Sequence, residues 1–169
     1  MSLSMYQASV PVFVHMLGNL SAILEKAAAY TESKKIDQSV LIQYRLAPDM
    51  LPLAFQIRTA CDMAARGAAR LAGLDVPSFP DTETTFAEFQ ARIAKAIAFI
   101  QSVKAEQIDG AEERDIVLKS PRGEMKFKGQ GFLLNFSLPN LYFHVTTAYN
   151  ILRHNGLDLG KMDYVGKIF

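Results

Sequence analysis

The chain is short of several features that would each have named a chemistry. It has one cysteine, Cys61, among 169 residues, which excludes an internal disulfide framework and any cysteine-rich zinc or iron–sulfur centre. Neither sign of charge is in excess: eighteen Lys and Arg stand against seventeen Asp and Glu, a formal net charge of +1. A nucleic-acid-binding face needs clustered cations to displace counterions from phosphates. No nucleic-acid partner is therefore expected, and Lys34, Lys35, Lys126 and Lys128 read as solvated faces. No serine sits in a Gly-x-Ser-x-Gly elbow, the turn that exposes a hydrolase nucleophile.

Unbroken apolar runs are missing too. Met1 to Leu24 carries no charge, but no Lys or Arg precedes its apolar part, and Gln7, Pro11, His15 and Asn19 interrupt it. A secretory leader needs a positive start, an apolar centre and a small-residue cleavage site. Gly129 to Leu152 is also charge-free and long enough to cross a bilayer. Gln130, Asn135, Pro139, Asn140, His144 and Asn150 make it too polar for that. Both stretches predict helices buried in a protein core, in a cytoplasmic chain with no membrane partner.

What is present is an ordinary globular composition, half hydrophobic and 21% charged. The length fits one domain over residues 1–169, able to bury roughly 70% of the surface its unfolded state exposes. Val10, Val14, Leu17, Leu20 and Leu24 line one face of a helix over about Ser4 to Ser33, with a kink or a late start at Pro11. A short helical piece from Asp37 to Tyr44 ends by Pro48. A second long helix starts at Asp49 as N-cap, tolerates Pro52 in its first turn and stops at Gly73. Its alanines (Ala64, Ala65, Ala68, Ala69 and Ala72) permit close approach of a neighbour. A third covers Thr84 to Gln107, with Phe86, Phe89, Ile93, Ile97, Ile100 and Lys104 on one face, and Thr85 and Glu88 spaced as a capping box. Asp115 to Lys119 and Glu124 to Lys128 read as two strands joined by a turn at Ser120, Pro121, Arg122 and Gly123. The fourth long helix runs from Leu138 to His154. Leu157 to Phe169 reads as an ordered tail or a fringe.

Three histidines lie on these helices: His15 on the first, His144 and His154 on the fourth. Ten residues along a helix separate the last two by roughly 15 Å and nearly a quarter-turn, so they cannot share an ion. The helical partner of His144 in a His-x-x-x-His pair would stand at position 148, which is Ala148. His15 could face His144 across the bundle, but two imidazoles alone bind zinc poorly. Cys61 stands beside Asp62, whose charge raises a thiol pKa, and reads as structural. Gly156 to Lys161 superficially follows a phosphate loop, but one residue is missing between its glycines, Met162 replaces the magnesium-binding hydroxyl, and it follows a helix where a strand is needed.

The run LPNLYFHVTTAYNILRHNG from Leu138 to Gly156, followed by LGKMD from Leu159 to Asp163, resembles a bacterial family of unknown function. That family lies within the DinB/YfiT-like four-helix-bundle superfamily. Met5-Tyr6 and the MLPLAFQ segment from Met50 to Gln56 fit the same family, so the resemblance covers nearly the whole chain. It implies an antiparallel bundle, commonly homodimeric. In the wider superfamily, one His on the second helix and a His-x-x-x-His pair on the fourth hold a divalent metal, and some members act as thiol S-transferases or hydrolases. By this resemblance His144 matches the first His of the pair, Ala148 replaces the second, and Gln56 stands at the second-helix position.

The expectation is therefore an all-α antiparallel four-helix bundle with a small β-hairpin between its third and fourth long helices. The superfamily metal site is degenerate and no cofactor is expected; a polar pocket for a small molecule is lined by Gln56, His144, His15 and Tyr142. Two alternatives stand beside this. One is a divalent-metal hydrolase or thiol S-transferase holding zinc or nickel on His144, with His15 and an acid such as Asp49 or Asp62. The other is a dimeric interaction module using the alanine-rich second helix or the aromatic tail ending at Phe169.

Overall fold

The computed structural model describes residues 3–120 and 123–167. Helix α1 runs Val10–Lys34 and not from Ser4. Pro11 has no amide to bond a preceding turn, so it falls in the first turn of the helix and sets a late start. Phe13, Leu17, Leu20, Leu24 and Ala27 face inward and are fully buried, while Val14 is half-buried. Helix α2, Gln38–Ile42, is capped by Asp37, whose carboxylate accepts from the Ser39 amide at 2.8 Å. It stops two residues short of Tyr44.

Helix α3 is Leu53–Ala72. Asp49 does not cap it, because Pro52 occupies the N-cap position. The connection before it is held instead by Arg45 donating to the Met50 carbonyl at 2.7 Å and by the Leu53 amide donating to the Tyr44 carbonyl at 3.0 Å. Gly73, at φ 69°, closes the helix in the left-handed region. Ala64, Ala65, Ala68 and Ala69 are completely buried. Their small side chains serve close packing inside the protomer, so this stripe is not the dimer face that an interaction module would need.

Helix α4, Phe86–Ser102, opens on the expected capping box. The Thr85 hydroxyl accepts from the Glu88 amide at 3.2 Å, and the Glu88 carboxylate accepts from the Thr85 amide at 2.9 Å; a good cap contributes about 1 kcal/mol. The single helix expected as far as Gln107 is in fact two. Val103 adopts an extended backbone that buries its side chain, and the chain resumes as α5, Ala105–Ile108. Lys104 is exposed at that break and is not part of the buried face.

Strands β1, Asp115–Ser120, and β2, Gly123–Lys128, pair antiparallel, with Ile116 opposite Phe127 and Leu118 opposite Met125. Pro121 and Arg122 of the expected turn lie outside the described residues, as does Phe169. Ile116 and Leu118 are buried, whereas Met125 is exposed. Phe127 carries the inward contact of β2, with its ring 5.9 Å from Phe132 and 5.4 Å from Phe136. Helix α6, Gly129–Phe132, and a π-helical turn, Leu133–Ser137, lead into α7, Leu138–His154. The bounds of α7 are those the sequence predicts. Ser137 at the end of the wide turn sits against Gly67, where any Cβ would collide with its Oγ. Helix α8, Lys161–Val165, is strapped to α1. Asn19 donates to the Tyr164 carbonyl at 3.0 Å, His15 bonds the Val165 carbonyl at 2.7 Å, and Lys26 pairs with Asp163 at 2.7 Å.

The long helices α1, α3, α4 and α7 thus form the antiparallel bundle, with the hairpin inserted before the fourth. No helix among the described residues is long and apolar enough to cross a membrane.

One buried cation escaped the periodicity. Arg92 on α4 is 3% exposed. Its guanidinium donates to Asp62 at 2.9 Å, to Glu83 at 2.8 Å and to the Pro80 carbonyl at 3.1 Å, and lies 5.4 Å from the centre of the Phe79 ring. Arg58 binds Glu83 as well, at 2.9 Å. Burial opposes the Glu83 charge, but the hydrogen bonds from the two arginines prevail and hold its carboxyl below the usual range. The connection from α3 to α4 is pinned to the bundle through these groups. Removing the cation leaves Asp62 and Glu83 short of a partner. Arg92→Leu is therefore expected to lose about 3–5 kcal/mol in urea denaturation, while Lys95→Leu, on the exposed neighbouring turn, stays within about 0.5 kcal/mol.

Candidate functional site

Gln56 belongs to the first turn of α3 and is 2% exposed. Its side chain turns back to the connection, where Nε2 donates to the Leu51 carbonyl at 2.8 Å. That bond sets the direction of the amide, so Oε1 faces α7 and meets His144 Nδ1 at 2.8 Å. An amide oxygen only accepts, so Nδ1 carries the proton and Nε2 of the neutral ring is a bare lone pair. Nε2 has no hydrogen bond from the described residues, and it is not one of their buried unpaired atoms; it is open to a ligand. Burial pushes the His144 pKa below its ordinary 6.5, which keeps the ring neutral at pH 7.

Around the imidazole stands an apolar collar. The Phe143 and Phe55 rings meet it edge-on, with centroids at 5.2 and 6.1 Å. Phe143 is 56% exposed, Leu51 45% and Phe55 39%. Sequence reasoning missed these three. The available signal was their place beside Gln56 and His144 on faces that the core period leaves outside.

The structure joins two of the four expected pocket residues and separates the others. His15 does not face His144 across the bundle: α8 intercepts it, through the Val165 carbonyl, and Asn19 lies beside it at 3.1 Å. Tyr142 precedes His144 by two residues, about 200° round the helix, and lies on the α8 flank. Its phenol pKa is raised, chiefly by burial and further by neighbouring Tyr164. His154 packs against Tyr44, with centroids 6.1 Å apart. Of the candidate acids, Asp62 is committed to Arg66 at 2.8 Å and Arg92 at 2.9 Å, and Asp49 lies exposed on the connection before α3. Cys61 is fully buried and its thiol is pushed up to about 12, first by burial and also by Asp62 and Glu83, against the opposing Arg92 charge. It is no nucleophile at neutral pH.

A three-histidine metal centre does not fit this donor set. Gln56 Oε1 and His144 Nδ1 are turned toward each other in one hydrogen bond, and position 148 carries a buried methyl group. Among the described residues no three His, Cys, Asp or Glu side chains gather as possible ligands. The arrangement offers instead one oriented base and hydrogen-bond acceptor in an apolar surround.

Residues 5–165 match the family described as a domain of unknown function, DUF1993. The chain belongs to the DUF1993 family. Among solved structures, the crystal structure of a DinB family member protein from Shewanella denitrificans is 42% identical to it, with a TM-score of 0.88, over 96% of this chain and 92% of that chain. No curated protein matches the chain. The DUF1993 chain is thus DinB-like in fold and family.

The lowered His144 pKa carries a sign. Between the folded pKa and 6.5 the unfolded chain binds more protons, so stability falls as pH drops through that window and is complete above it. Proton NMR of the imidazole is expected to give a His144 midpoint below 6.5, and His144→Ala to flatten that part of the stability–pH curve. A midpoint at or above 6.5 contradicts the burial argument.

Proposed function

We propose that this DUF1993 protein binds a small molecule at His144 without a metal, and that the molecule donates a hydrogen bond to Nε2 from a flat apolar body. The observation that carries this reading is the unprotonated Nε2, oriented by Gln56 and opening on the exposed rings of Phe55 and Phe143. A hydroxyl or N–H on an aromatic skeleton satisfies both parts, since the donor meets the lone pair and the ring edge-packs on the collar. The alternative of a metal-dependent hydrolase or thiol S-transferase lacks a convergent donor set among the described residues. One buried thiol without a disulfide partner suits a reducing, cytoplasmic compartment, and the balanced charge suits a ligand other than nucleic acid.

Phenol and anisole test the reading, because they share the ring and differ in the donor. Phenol is expected to shift the His144 ring resonances saturably and to bind about three- to tenfold more tightly than anisole, the worth of one net hydrogen bond. His144→Ala should abolish the difference. Equal binding of the two probes, or none, contradicts the proposal.

A second reading is favoured by the same exposed collar. Phe55 and Phe143 present exposed apolar rings against a half-buried histidine, and a second copy of the chain could cover them to give a homodimer. On this second reading light scattering shows a dimer that Phe143→Asp converts to a monomer; a monomer at high concentration removes it.

A further inference from the structure

On the flank of α7 turned away from His144 lies a cavity of about 200 Å³, lined by Thr146, Tyr149 and Asn150 of α7 and by Lys161 and Tyr164 of α8. Its walls are aromatic, with the Tyr149 and Tyr164 rings set edge to face at 6.3 Å. Its polar groups are mostly uncommitted. The Lys161 ammonium has no ion pair among the described residues, because the nearby Asp163 carboxylate is taken by Lys26 at 2.7 Å and by the Gly160 amide at 2.8 Å. Thr147 returns its hydroxyl to the Phe143 carbonyl at 2.7 Å, the usual resort of a helical threonine. The adjacent Thr146 does not, and its hydroxyl, the Asn150 amide and the Tyr164 phenol make no hydrogen bond with described residues. Tyr149 alone has a partner, the Leu159 carbonyl at 3.4 Å.

Among the described residues no carboxylate lines the cavity. It offers one unpaired cation, several free donors and two ring faces, which is the complement of an aromatic anion. The depression is open to solvent on one side, and its volume is that of a single ring. The site is also held in shape. Asn19, His15 and Lys26 fix α8 on α1, so the backbone that carries Lys161 and Tyr164 is in place before a ligand arrives, and the Lys161 side chain is what the ligand must order. We propose that this cavity binds a small aromatic carboxylate, with its ring against Tyr149 and Tyr164 and its carboxylate on the Lys161 ammonium. The site is separate from the His144 collar and does not depend on the reading given for it.

Calorimetric titration of the full chain with sodium benzoate and with benzamide tests this, since the two share shape and differ in charge. Benzoate is expected to bind saturably, about tenfold more tightly than benzamide, and more weakly as salt is added. Lys161→Gln should weaken benzoate about tenfold, Lys161→Arg should retain it, and His144→Ala should leave it unchanged. Any of three results overturns the proposal: equal binding of benzoate and benzamide, benzoate binding indifferent to Lys161→Gln, or no benzoate binding at millimolar concentrations. Loss of benzoate binding in His144→Ala also overturns it, by moving the anion to the collar.

Discussion

The Leu51 carbonyl accepts one N–H of the Gln56 amide, and that hydrogen bond decides which end of the amide meets α7. A carboxamide has a donor end and an acceptor end, so fixing one fixes the other. With the NH₂ end committed to the connection before α3, only Oε1 is left to face His144, and the imidazole must bring its proton to Nδ1. The tautomer at the surface is therefore set by a backbone carbonyl on the far side of a buried side chain. The connection is itself held, by Arg45 on Met50 and by Leu53 on Tyr44. The functional reading is the end of this chain of constraints.

A glutamine in this place has a different effect from a histidine or a carboxylate. A carboxylate against Nδ1 would favour the imidazolium, and a second imidazole would offer another lone pair for a metal. A neutral amide does neither. It orients the ring and leaves the burial of His144 as the dominant influence on its charge. The bundle has placed its strong electrostatics elsewhere, in the Arg92 group that ties the α3–α4 connection with Asp62 and Glu83. That group works as structure and commits Asp62, while burial keeps the Cys61 thiol out of the chemistry.

How far all this was legible in the sequence depends on the range of the forces involved. Features made by residues close in sequence were readable: the Thr85–Glu88 capping box, the stop at Gly73 and both ends of α7. Asp49 misled because Pro52 took the cap position three residues later, and the third helix was read too long because the burial of Val103 outweighs helical continuity. Arg92 was invisible to periodicity. Its partners Asp62 and Glu83 lie thirty residues before it and nine before it, and only folding brings them together. At the site, Gln56 and His144 were reached through family resemblance, and the structure joins them. His15 and Tyr142 went astray for one reason: the return path of α8 across α1, which no pattern in the sequence discloses, claims the first and gives the second a different neighbour.

The chemistry open to this site turns on the position of a single proton, which a nitrogen-15 correlation spectrum of the histidine side chains above pH 7.5 reads directly. Neutral His144 is expected to hold its proton on Nδ1, with Nε2 showing the shift of an unprotonated ring nitrogen, and Gln56→Leu to relax this preference. A neutral His144 protonated on Nε2 in the unmodified chain would contradict it, because the lone pair would then point into the protein and the collar would surround a donor.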